Sequence, residues 1–186
     1  MLLYRPQEGY CYNSDSVFLY DFIDSFNPKG KVLDVGAGCG VVGLLVARDN
    51  KKVELEAVEK QEAFIHYATT NARVNKIEYK MHEGSFLELD EDVKYDYIIS
   101  NPPFYSDTYK SDNQQRDLAR FTDAMPFRKL IESISKLLSK DGLFSVVIPY
   151  SEEKDFIVLA SKEHLFPNRI LRVKGTPSSE IKRSLI

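Results

Sequence analysis

The strand pattern "KVLDV", Lys31 to Val35, runs directly into "GAGCG", Gly36 to Gly40, and then into the helical pattern "VVGLLVARD". This order constrains the fold more than any other stretch. The glycines let the backbone turn sharply and approach a ligand with no Cβ in the way. A strand that turns straight into a helix is the opening of a β-α-β unit, whose next strand lies parallel to the first. The rest of the chain keeps the alternation. "SDSVFLYDFIDSF" predicts a helix with Ser14 as N-cap, "VELEAVE" a strand and "QEAFIHYATTNARVN" an amphipathic helix closing near Asn75. "YKMHEGSF" holds a short strand, and "YDYIIS" a further one, ended by "NPPF". "AMPFRKLIESISKLLSKDG" predicts a helix with Pro126 in its first turn and Gly142 just past its end. "LFSVVIPY", "SEEKDFIVLASKEH" and "RILRVKG" predict strand, helix and strand.

Such a series predicts an α/β fold with a doubly wound, mostly parallel sheet and helices on both faces. Ligands of these sheets sit at the carboxyl ends of the strands, where the strand order reverses. "GAGCG" and "NPPF" both follow strands, so both belong to that edge.

Composition excludes several classes. Of the 186 residues 43% are hydrophobic and 28% charged, as in a globular protein. No apolar run approaches the roughly 18 residues that span a membrane, and "MLLYRPQEGY" lacks the apolar core of a signal peptide. Cys11 and Cys39 do not make a disulfide framework, and His66, His82 and His164 are scattered without zinc-binding spacing. The expectation is a cytoplasmic protein without metal, and a monomer. The net charge is −3, but Asp49–Asp96 carries 12 acids against 7 bases, while Lys162–Ile186 carries 6 bases against 2 acids. The simple reading of this asymmetry is two solvated faces; the other is that the tail meets an anion such as RNA.

The glycine loop has two readings. Gly38, Gly40 and Gly43 match G-x-G-x-x-G, with Glu59 at 21 residues after Gly38, as in nicotinamide-dependent dehydrogenases. Gly36, Gly38 and Gly40 also make G-x-G-x-G, with Asp34 two residues before. This second pattern resembles the nucleotide loop of S-adenosylmethionine (AdoMet) methyltransferases. An acid beside the loop suits a cofactor bearing an ammonium and a sulfonium, and is unfavourable beside a pyrophosphate. Asp34 therefore favours AdoMet.

"LDVGAGCG", "AVEK" and "SNPPF" stand in this order at spacings that resemble class I AdoMet-dependent methyltransferases acting on a planar amino group. The resemblance implies a Rossmann-like methyltransferase sheet. It implies one domain over residues 1–186, with 1–29 as an N-terminal cap segment and 30–186 as the core. It implies cofactor contacts from Asp34, Gly36, Ala37, Gly38, Gly40, Glu59, Ser85, Phe86 and Asn101. Glu59 would accept from both ribose hydroxyls, Ser85 would hold the adenine amino group, and Phe86 would wall the ring. For each the plain structural alternative is a strand end, a loop or a core position.

The chemistry of "NPPF" follows from its residue types. A conjugated amino nitrogen shares its lone pair with the π system and is a poor nucleophile. The Asn101 side-chain oxygen and the Pro102 carbonyl can each accept one N–H, drawing the nitrogen towards tetrahedral geometry. The prolines hold these acceptors before substrate arrives, and Phe104 offers a face for stacking. Catalysis is thus expected from Asn101, Pro102 and Phe104, with Pro103, Phe104, Arg116 and Arg120 binding substrate.

"QEGYCYNSDSVFLYDFI", "RDLARFTD" and "TPSSEIKRSLI" resemble segments of the tRNA(Val) adenine-N6 methyltransferases, which modify the adenine beside the anticodon (tRNA position 37). That implies tRNA as partner. Alternatives are the glutamine of a peptide release factor, guanine N2 of ribosomal RNA, and a non-catalytic AdoMet-binding module, with a dehydrogenase a distant third. For Tyr12, Asn13 and Asp15, a capped helix and a cover over the methionine end of the cofactor are equally good readings. Arg116 and Arg120, for which a solvated loop is the equally good plain reading, are expected with Arg169, Arg172, Lys174 and Arg183 to meet phosphates. The final strand in this class inserts beside strand five. With Ile186 as the last residue, that strand is expected to be cut short, leaving an open slot in the sheet, unless a few residues finish it.

Overall fold

The computed structural model describes residues 1–7, 12–102 and 127–186. Seven strands among them form one sheet: β1 (Gly30–Val35), β2 (Val53–Glu59), β3 (Lys80–Glu83), β4 (Tyr95–Ser100), β5 (Leu138–Pro149), β6 (Leu171–Lys174) and β7 (Ile181–Leu185). Their spatial order is β3-β2-β1-β4-β5-β7-β6. Strands β1 to β5 pair in parallel, and β7 runs antiparallel to both β5 and β6. The helices are α1 (Ser14–Asp24), α2 (Val41–Asp49), α3 (Glu62–Val74), α4 (Phe127–Leu137) and α5 (Glu153–Lys162).

The central strands are apolar on both faces because both are covered. Neighbouring residues alternate between two cores. Val32, Ile99 and Val147 face Leu19, Phe22 and Ile23 of α1 and Val42, Leu44 and Val46 of α2. Leu33 and Ile98 face Leu130, Ile134 and Leu137 of α4, while Val146 and Ile148 meet Phe156 and Ala160 of α5. The strand order reverses between β1 and β4, and the register sets Val35 opposite Ser100 there. Gly36 and Asn101, which open the two loops singled out in the sequence, leave the sheet side by side at that point.

Three sequence expectations need correction. The N-cap of α1 is Asn13, whose Oδ1 accepts from the Asp15 amide at 2.9 Å, and Ser14 is already helical. Helix α4 ends at Leu137 and does not run to Gly142. Its apolar stripe (Leu130, Ile131, Ile134, Leu137) is complete there, and Leu138 already pairs with Tyr95. The next β4 pair is Tyr97 with Leu143, so residues 139–142 bulge out of the ladder. Pro126 lies outside the described residues.

The third correction concerns the tail. The expected slot is filled: β7 sits between β5 and β6, with Val147, Ile148 and Pro149 opposite Leu185, Ser184 and Arg183. The Ile186 amide and carbonyl both bond Val146 at 3.0 Å. Five residues suffice because Leu185 and Ser184 are fully buried and supply the apolar and polar anchors of the strand.

Candidate active site

The glycine loop is shaped by backbone geometry that side chains resist. Gly40, with φ +78°, is the N-cap of α2, and Gly40 N–H bonds the Ala37 carbonyl at 2.8 Å. Gly43 is required for a different reason. A Cβ there would stand 2.8 Å from Asp34 Oδ2 and 3.0 Å from Leu55. That closeness accompanies a hydrogen bond from the Gly43 amide to Asp34 Oδ2 at 3.0 Å.

Asp34 is therefore turned inward. It is 3% exposed, and its carboxyl ties β1 to the first turn of α2. Burial pushes it up to about 7, with the Gly43 amide opposing and the charge of Glu59 adding. The sequence placed this acid at the mouth of the loop; the fold uses it as a brace beneath it.

Glu59, at the end of β2, is held by backbone amides. Its Oε2 accepts from Gly38 N–H, and its Oε1 from Lys60 and Gln61 N–H, all at 2.9 Å. These three bonds use most of the roughly four acceptor sites of a carboxylate. A grip on two ribose hydroxyls thus requires one amide to be released. Gly38 is the candidate, since it lies in the loop, and a Cβ built on it would meet nothing within 4 Å.

Ser85 and Phe86 lie at the turn after β3. The Ser85 hydroxyl accepts from the Leu87 amide at 3.3 Å and caps a single 3₁₀ turn, Phe86–Glu88. Phe86 is buried against Val35 and Val58, the last apolar residues of β1 and β2. The pair thus borders the loop edge, and the serine has a local role of its own.

Asn101 follows β4. Its Nδ2 donates to Ser16 Oγ of α1 at 3.1 Å. Its Oδ1 is buried and has no hydrogen-bond partner among the described residues. An unpaired buried acceptor costs about 1–3 kcal/mol, so its presence calls for a reason. Pro102 is buried beside it. Pro103, Phe104, Arg116 and Arg120 lie outside the described residues.

Several structural roles escaped the sequence reading. Asn71 is fully buried in α3; Nδ2 donates to the Cys39 carbonyl of the glycine loop at 3.0 Å and to the Tyr4 carbonyl at 2.9 Å. Its Oδ1 accepts from the Tyr4 amide, and Asn75 treats Leu2 in the same way. The signal was present: Phe64, Ala68, Asn71 and Ala72 share the apolar stripe of α3, so an asparagine there has to find buried partners. Arg183 of β7 bonds Asp15 Oδ2 at 2.9 Å, pinning the start of α1. Arg172 forms a forked pair with Glu153. Both arginines, expected to meet phosphates, already have carboxylate partners. Among the described residues no group of His, Cys, Asp and Glu suited to a metal occurs, and no helix is long and apolar enough to cross a membrane.

A sheet in this order, parallel through β5 and closed by antiparallel β7, with a glycine loop after β1 and the Asn101 acceptor after β4, is the arrangement of a class I methyltransferase. The model of the methyltransferase small domain matches residues 13–155, and the chain belongs to that family. It is 47% identical over 160 residues to the tRNA1(Val) (adenine(37)-N6)-methyltransferase of Flavobacterium psychrophilum, covering 83% of this chain and 68% of the relative. To the enzyme of the same name from Flavobacterium johnsoniae it is 42% identical over 178 residues, covering 93% and 75%. Among solved structures, a methyltransferase from Pyrococcus furiosus superposes with a TM-score of 0.72 at 19% identity, covering 98% of this chain and 86% of that one. A 16S rRNA N2 G1207 methyltransferase of T. thermophilus, in complex with AdoMet and guanosine, gives a TM-score of 0.68 at 20% identity, covering 96% and 44%. These two likenesses concern the fold.

Proposed function

We propose that this chain transfers a methyl group from AdoMet to N6 of an adenine in tRNA, at position 37 beside the anticodon. The observation that carries the reading is the buried, unpartnered Oδ1 of Asn101 at the switch point of the sheet. The relatives named for this reaction, at 42–47% identity, support the same substrate. In this reading residues 30–186 form the core of a single domain, residues 1–29 form its cap, and the enzyme acts as a cytoplasmic monomer without metal.

The site fits the cofactor. The loop around Gly36, Ala37, Gly38 and Gly40 offers backbone to the methionine end, and the open side of Gly38 leaves room for it. Glu59 takes the ribose, and Phe86, with Ser85, borders the adenine. AdoMet supplies an electrophilic methyl on a sulfonium. The protein does the rest by positioning. Asn101 Oδ1 accepts one N–H of the target amine and the Pro102 carbonyl the other, which points the nitrogen lone pair at the methyl. Phe104 stacks on the base. No strong base is required, because the nitrogen gives up its proton readily once it carries the methyl. Asp34 acts one layer below, holding the loop to α2.

The test is radiolabelled AdoMet incubated with unmodified total tRNA, ribosomal RNA and a release factor. Label in tRNA alone is expected. Label in the release factor or ribosomal RNA, with tRNA untouched, would replace this substrate with one of those.

A further inference from the structure

Asn101 needs more than its acceptor atom. An asparagine amide rotates broadly about its last torsion, so an oxygen without a partner has no fixed direction unless the other end of the amide is held. Here it is held from α1, by the hydrogen bond from Asn101 Nδ2 to Ser16 Oγ at 3.1 Å. Ser16 is 3% exposed, so water does not compete for this bond. Its own backbone is fixed too. The Ser16 amide bonds the Asn13 carbonyl at 3.2 Å, Asn13 caps the helix, and the neighbouring Asp15 is clamped by Arg183. The tether therefore runs from β7, through the start of α1, to the amide after β4.

We propose that Ser16 is a positioning residue for methyl transfer: it holds the Asn101 amide by its nitrogen so that Oδ1 faces the incoming amino group. This rests on the reading of Asn101 as the acceptor. In this proposal Ser16 acts through the Asn101 amide rather than on substrate or cofactor directly. Its loss should therefore lower the rate of the chemical step while leaving both binding steps alone. A preorganised donor or acceptor is worth about a hundredfold or more in rate. Ser16 only steers one, so a loss of about tenfold is expected.

The experiment compares Ser16→Ala, Ser16→Thr and Ser16→Val with the parent chain. Single-turnover methylation of unmodified tRNA is measured alongside AdoMet and tRNA dissociation constants. Ser16→Ala should turn over about tenfold slower with both constants unchanged. Thr and Val have nearly the same volume, so their difference isolates the hydroxyl even if the extra bulk disturbs packing; Thr should be clearly faster. A readout independent of activity is the Asn101 side-chain amide signal in a ¹⁵N spectrum, assigned by its absence in Asn101→Ala. It should shift and exchange faster in Ser16→Ala. In the Asn101→Ala background, Ser16→Ala should add nothing. A full-rate Ser16→Ala, equal Thr and Val variants, an unmoved amide signal, or an equal loss of AdoMet affinity would overturn the proposal. If Asn101→Ala were itself fully active, the reading of Asn101 would fail, which is a separate outcome.

Discussion

Asp34 is the residue whose role the sequence misjudged most. Its acidity suited a cationic cofactor, yet its carboxyl is buried beneath the loop and bonded to Gly43. Nothing in the local sequence distinguishes an acid at a loop mouth from one under it, because the direction depends on how closely α2 returns to β1. The placement has a consequence for pH. With the folded value pushed up to about 7 by burial, the native state keeps a proton that the unfolded chain releases near its ordinary value of 3.8. Stability from this group is complete below that ordinary value. It is lost as pH rises towards 7, with no further loss above. Asp34→Asn removes the titration. Its advantage in stability over the parent chain should grow by about 2 kcal/mol between pH 5.5 and 8. Urea unfolding at the two pH values measures it; an advantage independent of pH would mean that Asp34 is not the titrating group.

At the scale of elements, the succession of strands and helices and the apolar helix faces were readable because alternation and apolar stripes are local signals. The end of α4 was not, since Leu138 leaves the helix for a strand partner 43 residues earlier, Tyr95. The family resemblance placed the last strand beside strand five, as β7 is, but not its completion, which rests on pairing with both β5 and β6. In the candidate site, the places of Asn101 after β4 and of Glu59 at the end of β2 were legible from motif order. Ser16, Asn71 and Arg183 were not, because their partners lie 85, 32 and 168 residues away. Two variants test the links between elements. Arg183→Ala leaves Asp15 buried without its cation, at side-chain exposures of 23% and 9% for the pair. It should cost about 2–3 kcal/mol and slow methyl transfer through Ser16. Equilibrium unfolding with parallel rate measurement checks this; an unchanged midpoint would remove the clamp from the account. Gly43→Ala forces a Cβ to 2.8 Å from Asp34 Oδ2. It should destabilise by about 1–3 kcal/mol and weaken AdoMet binding, as read by calorimetry, because the loop and α2 must part. A variant as stable as the parent chain, with unchanged AdoMet affinity, would show that the close approach is not required.

At the scale of the molecule, the proposed tRNA substrate would have to be gripped away from the acidic middle of the chain. Arg172 and Arg183 are committed to Glu153 and Asp15, which leaves Arg116, Arg120 and the exposed Arg169 and Lys174 as the stronger phosphate partners. Each phosphate contact adds about 0.7–0.9 to the slope of log affinity against log salt. Charge reversal at Arg116 and Arg120 should weaken tRNA binding and flatten that slope without moving AdoMet affinity. A salt titration that leaves the slope intact would shift the interface elsewhere. The central claim is that the orphaned oxygen of Asn101 accepts the amino group that is methylated. Its most direct test is single-turnover methylation of unmodified tRNA by the parent chain and Asn101→Ala, with the products read by nucleoside mass spectrometry. The account predicts N6-methyladenosine from the parent chain, and from the variant the same product roughly a hundredfold more slowly, with AdoMet affinity unchanged. A methyl on another atom, or a variant within about a factor of two of the parent rate, would contradict it.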